Sequence, residues 1–232
     1  MAAGTAVIVG GTQGLGRRIA ERLVAAGQPV VITGRDSERA RAIAGEIGPL
    51  ASSRALDLAQ PESIAECLSG IIGVDKVILA AIERDANSVR DYDIARAVRL
   101  STLKLVGYTE VLHCLHAELH DQSSILLFGG LARERPYPGS TTVTSVNGAI
   151  ETMVRTFAIE LAPVRVNALH PGIVGDSPAW ADNAAVLEAV IARTPTRRPI
   201  TMDEVTDAAL FLLHNTAIIG VNLNVDGGWV FG

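Results

Sequence analysis

The chain has 232 residues, a formal net charge of −5, 48% hydrophobic residues and 19% charged residues. That length suits one large α/β domain, and that composition excludes a globally disordered chain. No basic stripe or tail offers a surface to nucleic acid or an anionic membrane, and no apolar run reaches the roughly 18 residues that span a bilayer. The opening Met1-Ala2-Ala3-Gly4-Thr5 has no basic residue before its short apolar run, so a secretory signal is not expected. Cys67 and Cys114 lie far apart, which indicates no disulfide framework and makes a reducing cytoplasm the expected location.

Apolar runs alternate with amphipathic stretches along the chain. Strands are predicted over 6–9, 30–33, 51–56, 76–80, 125–128, 164–168 and 221–225. Helices are predicted between them, over 15–26, 37–47, 62–68, 91–119, 143–161 and 203–213. This alternation argues a doubly wound α/β fold, with a parallel sheet covered by helices on both faces. No repeat or linker divides residues 1–232, so a single domain is expected. The long irregular stretch over about 172–202, with Pro178, Pro195 and Pro199, reads as a binding loop.

The first strand runs into Gly10-Gly11-Thr12-Gln13-Gly14-Leu15-Gly16 and then a helix. Glycines at 10, 14 and 16 permit a tight turn and a close approach of backbone to a pyrophosphate, with the anion on the free N–H groups of the helix N-terminus. The second strand ends at Gly34-Arg35, where NAD-binding proteins usually carry an acidic residue. A missing carboxylate and an added guanidinium favour a 2′-phosphate and hence NADP(H); the bland reading of Arg35 is a solvated surface residue. Asp57-Leu58 follows the third strand, where Asp57 reads as a local helix cap, and Ala80-Ala81 follow the fourth.

The run Val143-Thr144-Ser145-Val146-Asn147, through Val164-Arg165-Val166-Asn167-Ala168 to Pro171-Gly172-Ile173, resembles the catalytic helix and following strand of the short-chain dehydrogenase/reductase family. The likeness extends from the glycine turn to Asn224-Val225-Asp226-Gly227-Gly228. It implies a Rossmann-type seven-stranded parallel sheet of order 3-2-1-4-5-6-7, a nicotinamide cofactor held by the turns named above with Asn147, Pro171, Gly172 and Ile173, an adenine contact at Asp57 as the alternative to a cap, and a homotetramer or homodimer. The helices over 91–119 and 143–161 carry more apolar positions than one core face requires, which suits such an interface.

The family's Tyr-x-x-x-Lys falls on Val143 and Asn147, its serine on Gly129-Gly130, and its structural asparagine on Arg99 or Lys104. Valine has no proton to give and asparagine no charge. The tyrosine of the enoyl-reductase branch falls on Ser140. Replacement donors are His170, at the carboxyl end of a strand, and Tyr137, in the loop after the fifth strand; each is open to a packing role instead. Asp176 reads as a carboxamide contact or a cap, and Trp180 as a substrate cover or a loop anchor. His113, His116 and His120 share a helical spacing, but no metal is expected, because no further ligand completes a pattern. Three functions compete: an atypical reductase of a carbonyl or enone, a nucleotide-binding pseudoenzyme acting as sensor or partner subunit, and a non-redox enzyme on the same scaffold.

Overall fold

The computed structural model describes residues 4–232; Met1, Ala2 and Ala3, part of the stretch expected to carry no signal, lie outside them. Seven strands, β1 (Thr5–Val9), β2 (Val30–Gly34), β3 (Ala51–Ala55), β4 (Val74–Leu79), β5 (Leu119–Phe128), β6 (Arg165–Pro171) and β7 (Asn222–Val225), form one sheet of order β3-β2-β1-β4-β5-β6-β7. Every pairing is parallel. The Rossmann-type architecture expected from the sequence is therefore present.

Strand alternation sends side chains to two cores. Val7, Val9, Val77, Leu79, Ile125 and Leu127 pack on one face against α3 (Ile64–Leu68), α5 (Tyr108–Leu115) and α6 (Thr141–Glu160). Ile8, Ile32, Ile78, Leu126 and Leu169 pack on the other against α1 (Gly14–Ala25), α2 (Ser37–Ile47) and α8 (Met202–His214). Burying each such side chain contributes about 1.5–3 kcal/mol. The helix ends are capped locally. Asp36 accepts from the Glu38 and Arg39 N–H groups ahead of α2, and Thr201 with Glu204 forms a capping box on α8.

Four expectations need correction. The helix over 91–119 is instead α4 (Ile94–Ser101), a π-helical segment (Thr102–Gly107), α5, and a short 3₁₀ turn (His116–Glu118). β5 then begins at Leu119 rather than 125. Its polar opening, His120-Asp121-Gln122, has no apolar alternation to mark a strand, but the Ser123 hydroxyl donates to Val74 O at 2.7 Å and so ties it to β4. The long loop over 172–202 contains α7 (Ala184–Arg193), started by Asn183, whose side-chain oxygen accepts from the Val186 N–H at 3.2 Å. Finally β6 extends to Pro171, so His170 lies inside a strand, opposite Asn224 of β7.

Candidate functional site

The order β3-β2-β1-β4 reverses direction between β1 and β4, and the carboxyl ends of these strands open a crevice there. The turn after β1 is close to backbone on both sides. A Cβ on Gly10 would stand 2.6 Å from Ala81 Cα, and one on Gly16 would stand 2.3 Å from Gly10 O. Gly14, at φ +54, faces open space. Beside it lies a cleft of about 550 Å³ lined by Thr12, Gln13, Gly14, Arg17, Arg18 and Arg39, among others. Arg17 is paired with Glu21 and Glu46, and Arg18 stands 3.7 Å from Asp203. Amide donors at the start of α1 and the Arg39 guanidinium make this a cradle for a phosphorylated ligand, so the residues present fit a dinucleotide.

Around the cradle, the predicted residues fall into place unevenly. A Cβ on Gly34 would stand 2.6 Å from Thr12 Cγ2, so a side chain there would require Thr12 to shift. Arg35 is 65% exposed along its side chain and only loosely opposed by Glu83, at 3.9 Å. Arg39, which the sequence reading missed, donates to Gln13 Oε1 at 2.9 Å. Asp57 has a double engagement: it accepts from the Ala59 N–H at 3.0 Å and pairs with Arg99 at 3.1 Å. Leu58 is buried, with its carbonyl pressed against Gly107. Leu15 and Ala80 pack partly buried against the second core, and Ala81 accepts the Tyr108 hydroxyl at its carbonyl.

At the other end of the crevice, Asn147 and Val143 sit one turn apart on α6. Asn147 is buried against the strand end; a Cβ on Gly130 would stand 2.8 Å from its Nδ2. Pro171 closes β6, and Gly172 donates its N–H to Val225 O and lies against Asp226. Ile173 follows, half-buried. Asp176 is a cap: its carboxylate accepts from the Met202 N–H at 2.7 Å. Trp180 is stacked under the Arg84 guanidinium, 4.4 Å from the ring centre, while Arg84 also donates to Ala179 O. This contact joins the 172–183 loop to the segment after β4. That segment is held by Asn87, a buried residue the sequence reading passed over, which donates to Asp85 and Asp93 O and accepts from the Asp93 N–H at 2.7 Å.

The expectation that His170 delivers a proton is corrected. Its side chain is 0% exposed. Arg133 Nε donates to Nδ1 at 3.3 Å, which leaves Nε2 to carry the hydrogen and donate it to Asn222 Oδ1 at 2.9 Å. Both ring nitrogens are thus occupied. Burial, with the Arg133 charge beside it, pushes the pKa down to about 4, so the ring is neutral near pH 7. Arg133 itself is a buried hub, bonding Glu151 and Asn224 as well. Tyr137, by contrast, is 52% exposed at the loop before α6.

The expected shared helix face of the three histidines is also corrected. His113 and His116 stack at 5.7 Å, but His120 lies on β5 and bonds Asp75 at 2.8 Å. Among the described residues no three His, Cys, Asp or Glu side chains converge on a metal position. No helix among them is long and apolar enough to cross a membrane.

A parallel sheet with a phosphate cradle at the reversal of strand order defines a dinucleotide-binding protein of the Rossmann class. Residues 9–230 match the family model described as "Enoyl-(Acyl carrier protein) reductase". A 3-oxoacyl-[acyl-carrier-protein] reductase of Aquifex aeolicus is 31% identical over 242 residues, covering 96% of this chain and 95% of that protein. An L-xylulose reductase of Bos taurus is 28% identical over 237 residues, covering 97% and 96%. A solved structure of a short chain dehydrogenase/reductase family protein superimposes with a TM-score of 0.89 at 29% identity, covering 100% of both chains. The chain belongs to the short-chain dehydrogenase/reductase family of oxidoreductases, which use nicotinamide cofactors.

Proposed function

We propose that this protein is an NADP(H)-dependent oxidoreductase that reduces a carbonyl or enone on a small molecule without the Tyr–Lys couple usual in its family. The observation that carries the cofactor choice is at the end of β2. Position 34 is Gly, with the Thr12 methyl 2.6 Å from where a Cβ would stand, so this chain offers no carboxylate there to grip a ribose 2′-hydroxyl. Arg35 follows, exposed and weakly opposed, and Arg39 adds a second guanidinium at the same rim. Two cations and no carboxylate at position 34 suit a 2′-phosphate.

Bound nicotinamide supplies the hydride. The chain's part is to hold the cofactor and to deliver a proton. Val143 has none to give, and Asn147 offers an amide that can bond a ribose hydroxyl without bringing charge. With both His170 nitrogens engaged, Tyr137 is the remaining phenol of the two named donors, and ordered water is the alternative. General-acid help is worth about 10²–10⁴-fold, so a weaker donor slows reduction without abolishing it.

Calorimetry with NADPH and NADH tests the cofactor reading: NADPH binds more tightly, and Arg35→Ala removes the preference. Equal affinities in the parent protein overturn it. NADPH oxidation against a library of carbonyls and enones tests the reaction, with Tyr137→Phe lowering turnover while NADPH affinity is kept. Tight NADPH binding with no turnover on any compound selects the pseudoenzyme reading, which the burial of His170 favours.

We also propose a homodimer or homotetramer. Val98 (59%), Val106 (51%) and Ile159 (79%) are exposed apolar residues on α4, the π-helical segment and α6. Leu105, Met153 and Phe157 line a hollow between the last two. A second copy of this face would cover both. Free Cys67 and Cys114 suit a reducing cytoplasm, the location we favour.

A further inference from the structure

Lys104 is a buried lysine that the proposed reaction does not use. It sits in the π-helical segment Thr102–Gly107, a backbone irregularity often associated with functional sites. Its side chain is almost fully buried, at 2% exposure, yet it forms no ion pair among the described residues. Instead Nζ donates to Phe128 O and to the Tyr108 hydroxyl, both at 2.8 Å, and Tyr108 passes its own hydrogen to Ala81 O at 2.8 Å. Phe128 ends β5 and Ala81 follows β4. One amine therefore clamps the two strand ends that floor the crevice. It does so beside the turn whose next residues, Gly129 and Gly130, lie against His170 and Asn147 respectively.

We propose that Lys104 is a positioning residue whose ammonium sets a titratable positive charge beneath the floor of the cofactor crevice, so that its protonation favours reduced over oxidised nicotinamide. The inference rests on the nicotinamide reading above. The oxidised ring carries a positive charge and the reduced ring does not. An ammonium in a low-dielectric floor therefore disfavours only the oxidised form.

The local charges leave Lys104 to act alone. Arg99 is paired with Asp57 and Glu83, Arg133 with Glu134 and Glu151, and Glu110 on α5 accepts from Cys114. His170 on β6 is neutral near pH 7. Tyr108 is the one titratable group in contact, and burial raises its pKa well above the ordinary phenol range, so it stays protonated. Burial alone lowers the pKa of Lys104 to about 7, which places the change of charge in an accessible range.

The test compares dissociation constants for NADP⁺ and NADPH from pH 6 to 9. The 2′-phosphate and pyrophosphate are common to both ligands, so their titration cancels in the ratio. In the parent protein the preference for NADPH falls about tenfold as pH rises through the pKa of Lys104. In Lys104→Met the ratio is flat and close to the parent's high-pH value; in Lys104→Arg it is flat and close to the low-pH value.

A second measurement needs no variant. The ¹³Cε resonance of Lys104 titrates at a higher pH in the NADPH complex than in the NADP⁺ complex. A purely structural clamp would move neither the ratio nor this difference. A ratio independent of pH in the parent, or equal Lys104 midpoints in the two complexes, overturns the proposal alone. Failure to bind either nucleotide overturns both this proposal and the cofactor reading.

Discussion

Acid should expose the role of His170 as a neutral packing element. Its pKa falls from the ordinary 6.5 to about 4 in the folded chain, because burial and the Arg133 guanidinium both oppose the imidazolium. Between those values the unfolded chain binds the extra proton and the folded chain does not. Folding stability therefore declines as pH falls through this window. Above pH 6.5 the residue is neutral in both states and contributes no pH dependence. Well below pH 4 the full penalty applies, roughly 3 kcal/mol for a shift of this size. Glutamine is the informative replacement, since its amide can accept from Arg133 and donate to Asn222 without titrating. Urea unfolding of the parent and His170→Gln at pH 7.5, 6, 5 and 4 measures the difference, with carboxylates common to both proteins cancelling. The parent should lose roughly 3 kcal/mol more than the variant between pH 7.5 and pH 4. Parallel stability curves would refute the burial and bonding assigned to this ring, and would return His170 to the candidates for proton delivery.

Lys104 should act in the opposite part of the pH scale. Neutral when folded and protonated when unfolded between about pH 7 and 10.5, it makes stability rise with pH across that window, by up to about 5 kcal/mol. Unfolding curves of Lys104→Met should lack this rise, and a variant as steep as the parent would contradict it. Gly129→Ala would set a Cβ 2.3 Å from His170 Nδ1, so thermal unfolding should show a loss of about 1–3 kcal/mol; no loss would mean the ring has room to move. Thr201→Ala removes half of the capping box on α8 and should destabilise the protein by about 1 kcal/mol in the same assay. Light scattering at micromolar concentration should give the mass of a dimer or tetramer, and Val106→Glu should shift it toward the monomer; a monomeric parent would refute the proposed interface.

Most of the sheet was legible in the sequence because β1, β2, β4 and the second half of β5 are runs of apolar, largely β-branched and leucine residues, and the helix expected over 37–47 is α2, Ser37–Ile47. The glycine turn was legible for the same local reason: strand, glycines and helix are contiguous. What failed to show was tertiary. The polar start of β5 is a strand only because it lies beside β4, through Ser123 and through His120 on Asp75. His170 looked like a residue at the mouth of the crevice, because a strand end cannot be fixed to three residues from pattern, and β7 extends the pairing past it. Arg99 and Lys104 were both open as the counterpart of one family position. Contacts separate them: Arg99 pairs with Asp57 and Glu83, and Lys104 is inside the floor.

The packing around the substituted positions bears on whether the site is built or merely eroded. On the proposed reading, a chain that lost a serine and a lysine without adjustment would carry small voids where those side chains stood, and an unfilled methylene-sized gap costs on the order of 1 kcal/mol. The space beside the two glycines is occupied. The His170 ring lies where a Cβ on Gly129 would project, and the Asn147 amide lies where one on Gly130 would project. His170 in turn is held by Arg133 and Asn222, and Arg133 by Glu151 of α6 and Asn224 of β7. Putting a serine back at position 130 would therefore drive its Cβ into Asn147, and a side chain at 129 would displace a ring on which four residues converge directly or through Arg133. The two glycines and their two neighbours form mutually fitted pairs, so activity engineering has to change Gly130 together with Asn147, and leave Gly129 with His170.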